Sequence, residues 1–123
     1  MKNRSLRESF ANALAGIRDA FREERNVRVH IGAVVVVMLT GVLLEIDALR
    51  WALLALACGI VLAAELFNTA VERTVDMITR ERSEAARRVK DLAAGAVFVT
   101  ALFVALCGVA VLAGPLLAWL GLP

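Results

Sequence analysis

Residues 92–123 contain no lysine, arginine, aspartate or glutamate. A soluble domain of 123 residues has no interior large enough to hide such a stretch, so the leading class is an integral membrane protein. Cysteine is scarce. Cys58 and Cys107 each lie inside an apolar segment, and there is no C-x-x-C pair or Cys/His cluster, which excludes a zinc site and leaves them as small packing residues. No secretory signal is expected, because the first thirty residues are charged throughout and lack an apolar run. There is no internal repeat and no low-complexity tract. A net charge of +2 says little as a total, and no nucleic-acid partner is expected.

What is present is apolar. Hydrophobic residues make up 60% of the chain, and the mean hydropathy is +0.74. The length allows one domain, residues 1–123. The cations are segregated. Of fourteen Lys and Arg, seven fall between Lys2 and Arg28 and six between Arg73 and Lys90, with Arg50 alone between. Two basic zones separated by apolar stretches fit two segments on one side of a membrane, which the positive-inside rule assigns to the cytoplasm.

Residues 5–25 read as an amphipathic helix. Leu6, Phe10, Ala13, Leu14, Ile17 and Phe21 form one stripe at about 100° per residue. Arg7, Arg18, Asp19, Arg22 and Glu23 lie off it, so the helix is expected to lie in the membrane interface. Three spans are expected at 27–44, 48–76 and 91–117. Glu45-Ile46-Asp47 forms a short polar turn after the first, and Met77 to Arg88 reads as a charged loop after the second. Gly114-Pro115 is a point where the third span should end or kink. Three spans starting inside place the C-terminus outside and bring Trp51 and Trp119 to the same outer interface. The expected fold is therefore all-α: a surface helix plus three transmembrane helices.

The functional signal is Glu65-Leu66-Phe67-Asn68-Thr69-Ala70-Val71-Glu72-Arg73-Thr74-Val75-Asp76. It follows directly on the apolar run Trp51 to Ala64. Ionisable residues at the edge of a span are costly and mark function by default. On a wheel with Glu65 at zero, Asn68, Thr69, Glu72 and Asp76 all fall within an arc of roughly 100°. One helix face is therefore acidic over three turns. Hard cations such as Mg²⁺ take one or two carboxylates plus substrate phosphates. A deeper carboxylate can accept a proton from a lipid hydroxyl within hydrogen-bond reach. Glu65 is the natural base and Glu72 the natural metal ligand. Lys90, beside Asp91 at the start of the third span, can act as a point charge on phosphate. Arg80, Arg82, Arg87 and Arg88 read as positive-inside charges, and His30 as an interfacial polar residue. Glu23 and Glu24 both lie where one could fold back to complete a metal site, and spacing does not separate them.

On these residues the chain resembles the small prokaryotic integral-membrane lipid kinases, diacylglycerol kinase and its undecaprenol kinase relatives. The matching pieces are the Glu65–Asp76 run with its E-x-x-N-[ST]-A-x-E-x-x-x-D pattern, and Lys90-Asp91 with Ala93-Ala94-Gly95-Ala96-Val97. Upstream, Ser9-Phe10, Ala13, Gly16-Ile17 and Glu24-Arg25-Asn26 with His30 also match. The likeness covers nearly the whole chain in order.

The resemblance implies a homotrimer with active sites shared between subunits, in the bacterial inner membrane with a cytoplasmic N-terminus. It implies transfer of the γ-phosphate of ATP to a membrane lipid alcohol, with Mg²⁺. It implies Glu65 as catalytic base, Glu24 and Glu72 as metal ligands, and Asn68, Asp76, Lys90 and Asp91 as lining the nucleotide and phosphate site. One departure stands out. Relatives often carry a basic residue soon after the Ser-Phe pair, whereas Ala11 and Asn12 follow here and Arg4 and Arg7 are the nearest cations. No G-x-x-x-x-G-K-[ST] loop is present, so nucleotide would be held by carboxylates, metal and cations. The Glu-Arg-Asn…His and Asn-Thr-Ala forms are more similar to the undecaprenol kinase branch. The rival reading from another class is a small proton-coupled transporter subunit using Glu65. Such a protein needs one lone membrane carboxylate, not a ladder.

Overall fold

The computed structural model describes residues 5–81 and 83–123. Among these residues are four helices and no strand: α1 (Leu6–Glu23), α2 (Arg25–Leu43), α3 (Ala48–Ile78) and α4 (Glu84–Trp119). The last three are long and apolar enough to cross a membrane. Lys2, Arg4 and Arg82 lie outside the described residues.

Helix α1 starts at a capping box. The Ser5 hydroxyl accepts from the Glu8 N–H, and the Glu8 carboxylate accepts from the Ser5 N–H at 2.9 Å, which satisfies two donors that the first turn leaves free. Its apolar stripe remains uncovered by the rest of the chain, with Leu6, Phe10 and Leu14 exposed and only Ala20 buried. Such a stripe on a helix beside three membrane-length helices belongs in an interface.

Helices α1 and α2 meet at Glu24, which ends one and begins the other in extended conformation (φ −102°, ψ 119°). The Arg28 guanidinium reaches back to the Phe21 and Arg22 carbonyls at 3.1 and 2.9 Å. A cation on the last carbonyls of α1 satisfies acceptors that the helix cannot.

Helix α2 ends in a Schellman motif. Ile46 N–H donates to the Gly41 carbonyl and Glu45 N–H to that of Val42. Gly41 is buried there because a Cβ would stand 2.9 Å from the Trp51 ring and 3.1 Å from Ile46. Asp47 then caps α3 by accepting from the Arg50 N–H at 3.1 Å. That backbone bond, and next the Arg50 guanidinium, hold the Asp47 carboxyl below the ordinary value of 3.8.

Helix α3 is the central element, packed mainly on α4 and also on α2. Leu54, Ala57, Cys58 and Val61 on it are buried. At the end of the bundle near the α2–α3 turn, Ile46, Leu54 and Val111 form the buried core, with Trp51, Leu44 and Cys107 packed against it. Trp51 thus packs inside the protein, whereas Trp119 is exposed.

Two sequence expectations change. The charged loop expected at Met77–Arg88 is shortened at both ends, because α3 runs on to Ile78 and α4 begins at Glu84. Ser83 caps α4 by accepting from Ala86 N–H, and Glu84 pairs with Arg87 and Arg88 one turn on. The charge run is a helical first turn held by i,i+3 and i,i+4 pairs. Nor does α4 end at Gly114-Pro115; it continues to Trp119 with Pro115 inside it.

Candidate functional site

Helix α3 has 31 residues, about 46 Å at 1.5 Å per residue, against roughly 30 Å of hydrocarbon. Counted from Ala48, Glu65 stands about 26 Å along the helix and Asp76 about 42 Å. The acidic face therefore begins within one hydrocarbon thickness and runs beyond it.

Burial follows the same gradient. Glu65 is 3% exposed, Asn68 and Thr69 6% each; Glu72 is half-buried and Asp76 exposed. Asn68 donates from Nδ2 to Glu72 Oε1 at 3.1 Å, which orients that carboxylate. The Asn68 Oδ1 is buried and has no partner. An orphaned acceptor beside a carboxylate is costly unless a donor or cation joins it.

Side chains from α2, from α4 and from the α1–α2 junction meet α3 along this face. The His30 imidazole on α2 places Nε2 3.8 Å from Glu65 Oε2. That is ion-pair range for a protonated ring and too long for a direct hydrogen bond. Arg73, next to Glu72 in the chain, holds Glu24 Oε1 at 3.2 Å and Glu23 Oε2 at 3.0 Å. The junction of α1 and α2 is thereby tied to α3. From α4, Lys90 pairs with Asp76.

Of the sequence-identified residues, Glu65, Asn68, Glu72 and Asp76 line one face of α3, with Glu24 joined to the helix through Arg73 and Lys90 through Asp76. Asp91 stands apart, exposed and turned to Arg87. His30 reads from the sequence as an interfacial residue and Arg73 only as one cation of the second basic zone, yet both contact site carboxylates. A within-helix wheel cannot reveal them, since each contact joins two helices.

Several cavities lie along α3. One, of about 430 Å³, lies at the α3–α4 turn and is lined by Asp76, Arg80, Ser83, Glu84, Arg87 and Lys90. Another, of about 670 Å³, is an apolar groove between α2, α3 and α4, with His30 among its lining residues. Among the described residues no three acidic, His or Cys side chains converge on a point that would cage a metal. Glu72, with the orphaned amide oxygen of Asn68 beside it, nonetheless suits a hard divalent cation, such as Mg²⁺, that keeps water and phosphate in its shell.

Comparison with known proteins gives one consistent family. The sequence matches the family model described as prokaryotic diacylglycerol kinase over residues 11–112. It is 40% identical over 101 residues to the undecaprenol kinase of Bacillus subtilis, covering 82% of each chain. It is 40% identical over 114 residues to the diacylglycerol kinase of Synechocystis sp., covering 92% of this chain and 65% of that one. It is 36% identical over 87 residues to the diacylglycerol kinase of Pseudomonas aeruginosa, covering 71% of each.

Proposed function

The chain belongs to the prokaryotic diacylglycerol kinase family and is a lipid kinase, and we propose that it transfers the γ-phosphate of ATP to the hydroxyl of undecaprenol or diacylglycerol at the cytoplasmic membrane surface. The observation that carries this reading is the depth gradient on α3. A carboxylate 3% exposed, Glu65, lies at membrane depth with the half-buried Glu72 two turns nearer water. A lipid hydroxyl and a nucleotide phosphate can meet only at such a boundary.

Glu65 takes the hydroxyl proton as the lipid oxygen attacks phosphorus. Glu24 and Glu72 are the residues that would hold Mg²⁺, which neutralises phosphate charge when bound. Asn68 fixes the Glu72 carboxylate through its amide. Lys90 offers a point charge to phosphate, and Asp76 holds its ammonium in place. Asp91, paired with Arg87, sits at the edge of the nucleotide region.

The remaining assignments are proposals of the same reading: residues 1–123 as one kinase domain, a multi-pass position in the bacterial inner membrane with the N-terminus cytoplasmic, and a homotrimer with shared sites. The open apolar groove supports assembly. A proton-coupled transporter would not need Glu72, Asn68 and Glu24 around its membrane acid.

The test is direct. Purified protein in lipid micelles receives radiolabelled ATP, magnesium and either undecaprenol or dioleoylglycerol. Labelled lipid phosphate from one or both is expected, and none from Glu65→Gln. Absence of product from both acceptors would sink the reading.

A further inference from the structure

A base 3% exposed faces a second task after each turnover: it must lose the proton it has gained. Glu65 has no other ion-pair partner among the described residues than His30. The other titratable groups whose charge bears on it, Glu72 from α3 and Glu24 from the α1–α2 junction, are carboxylates assigned to metal. Among the described residues facing Glu65, His30 is the one whose ring nitrogens can pass a proton onward. Its side chain is 23% exposed against 4% for that of Glu65, and it stands five residues from the start of α2, on the side of the charged α1–α2 junction. It also lines the apolar groove, whose other lining side chains are aliphatic apart from Cys58. The ring therefore joins the groove to the base, near the end of α2 that leads to the charged junction.

We propose that His30 is a positioning residue that orients Glu65 toward the groove and resets it by carrying its proton to water. This rests on the reading of Glu65 as base. In the step, the lipid O–H bond breaks, its oxygen forms the new bond to phosphorus, and the bond from phosphorus to the ADP oxygen breaks with its electron pair leaving on ADP. The hydroxyl proton passes to Glu65. It then moves from Glu65 Oε2 to His30 Nε2, and the imidazolium releases its Nδ1 proton to water. The 3.8 Å separation closes by a small rotation or one bridging water; catalytic contacts are often long before substrate binds. A histidine suits this task because its unperturbed pKa lies near neutrality.

The experiment uses the full chain in nanodiscs with ATP, magnesium, and undecaprenol or dioleoylglycerol. His30→Gln and His30→Ala should each lower kcat by about 100-fold, in the range for a lost proton-transfer group. The KM for ATP and the half-saturating magnesium should stay within about twofold, because neither contact involves the ring. Added imidazole should raise kcat of His30→Ala, while chloride at equal ionic strength should not. An unchanged kcat, or a lowered kcat that imidazole leaves where it is, overturns the proposal. Glu65→Gln is measured alongside. If it stays active, the base assignment fails; if it is dead while His30→Gln is fully active, only the role of His30 fails.

Discussion

Arg50 donates from Nε to the carbonyl of Val111 at 3.1 Å, across 61 residues of sequence. The bond exists because of Pro115, four residues further along α4. Proline has no N–H, so the Val111 carbonyl has no i+4 donor in its own helix. Val111 is 5% exposed, and an unpaired carbonyl there would be costly. Arg50→Met should cost about 1 kcal/mol. In a Pro115→Ala background the helix supplies its own donor, and the same change should cost little. A double-mutant cycle by reversible unfolding in mixed micelles measures the coupling. Strict additivity would mean that the guanidinium does not relieve the proline.

Helices α2 and α4 end alike but with different residues at the left-handed position. Gly121 takes it after α4 at φ 69°, and Glu45 after α2 at φ 50°. The hydrogen bonds match: Leu122 N–H to Leu117 carbonyl in one, Ile46 N–H to Gly41 carbonyl in the other. A side chain in that conformation costs about 1–2 kcal/mol, part of which glycine returns as lost chain entropy. Glu45→Gly should therefore stabilise by about 0.5 kcal/mol, and Glu45→Ala should not. Thermal unfolding of the two variants side by side decides it; equal effects would remove the backbone argument.

Arg73 is the polar tie between the α1–α2 junction and α3, through Glu23 and Glu24. Its side chain is 41% exposed, so solvent screens it and the pairs contribute no more than about 1 kcal/mol. Arg73→Glu turns the attraction into repulsion. Amides from Arg22 to Val27 should exchange about fivefold faster in the variant. High salt should produce part of the same change in the natural protein by screening. Exchange that responds to neither would show that apolar packing alone holds the junction.

Much of the architecture is legible in the sequence because it is local. The α1 stripe and the Ser5…Glu8 cap are both contained within a few turns. The acidic face of α3 is likewise a property of one helix, and the burial of Glu65, Asn68 and Thr69 on one side matches the wheel. What was not legible involves partners far apart. Pro115 does not end α4 because a residue 65 positions earlier supplies its missing bond. His30 reads as an interfacial residue until α2 is laid against α3, and Arg73 as one cation of a basic zone until the chain breaks at Glu24. The run from Glu84 to Asp91 has loop-like charge, yet its spacing is that of a helix paired within itself. Counting charges hides that spacing.

Asn68 and Glu72 give the sharpest test of the proposed metal site. If Asn68 serves by fixing Glu72 through its 3.1 Å bond, its loss acts only through Glu72. Asn68→Leu should then raise the half-saturating Mg²⁺ about tenfold, as outer-shell partners of ligands commonly do. Glu72→Gln should raise it more, because a ligand charge is gone. The double variant should be no worse than Glu72→Gln alone. Mn²⁺ binding followed by electron paramagnetic resonance without nucleotide gives the same comparison free of turnover. Independent, additive losses would assign Asn68 a direct role instead. Its buried Oδ1, which has no partner in the folded chain, would then be the atom that meets the ligand.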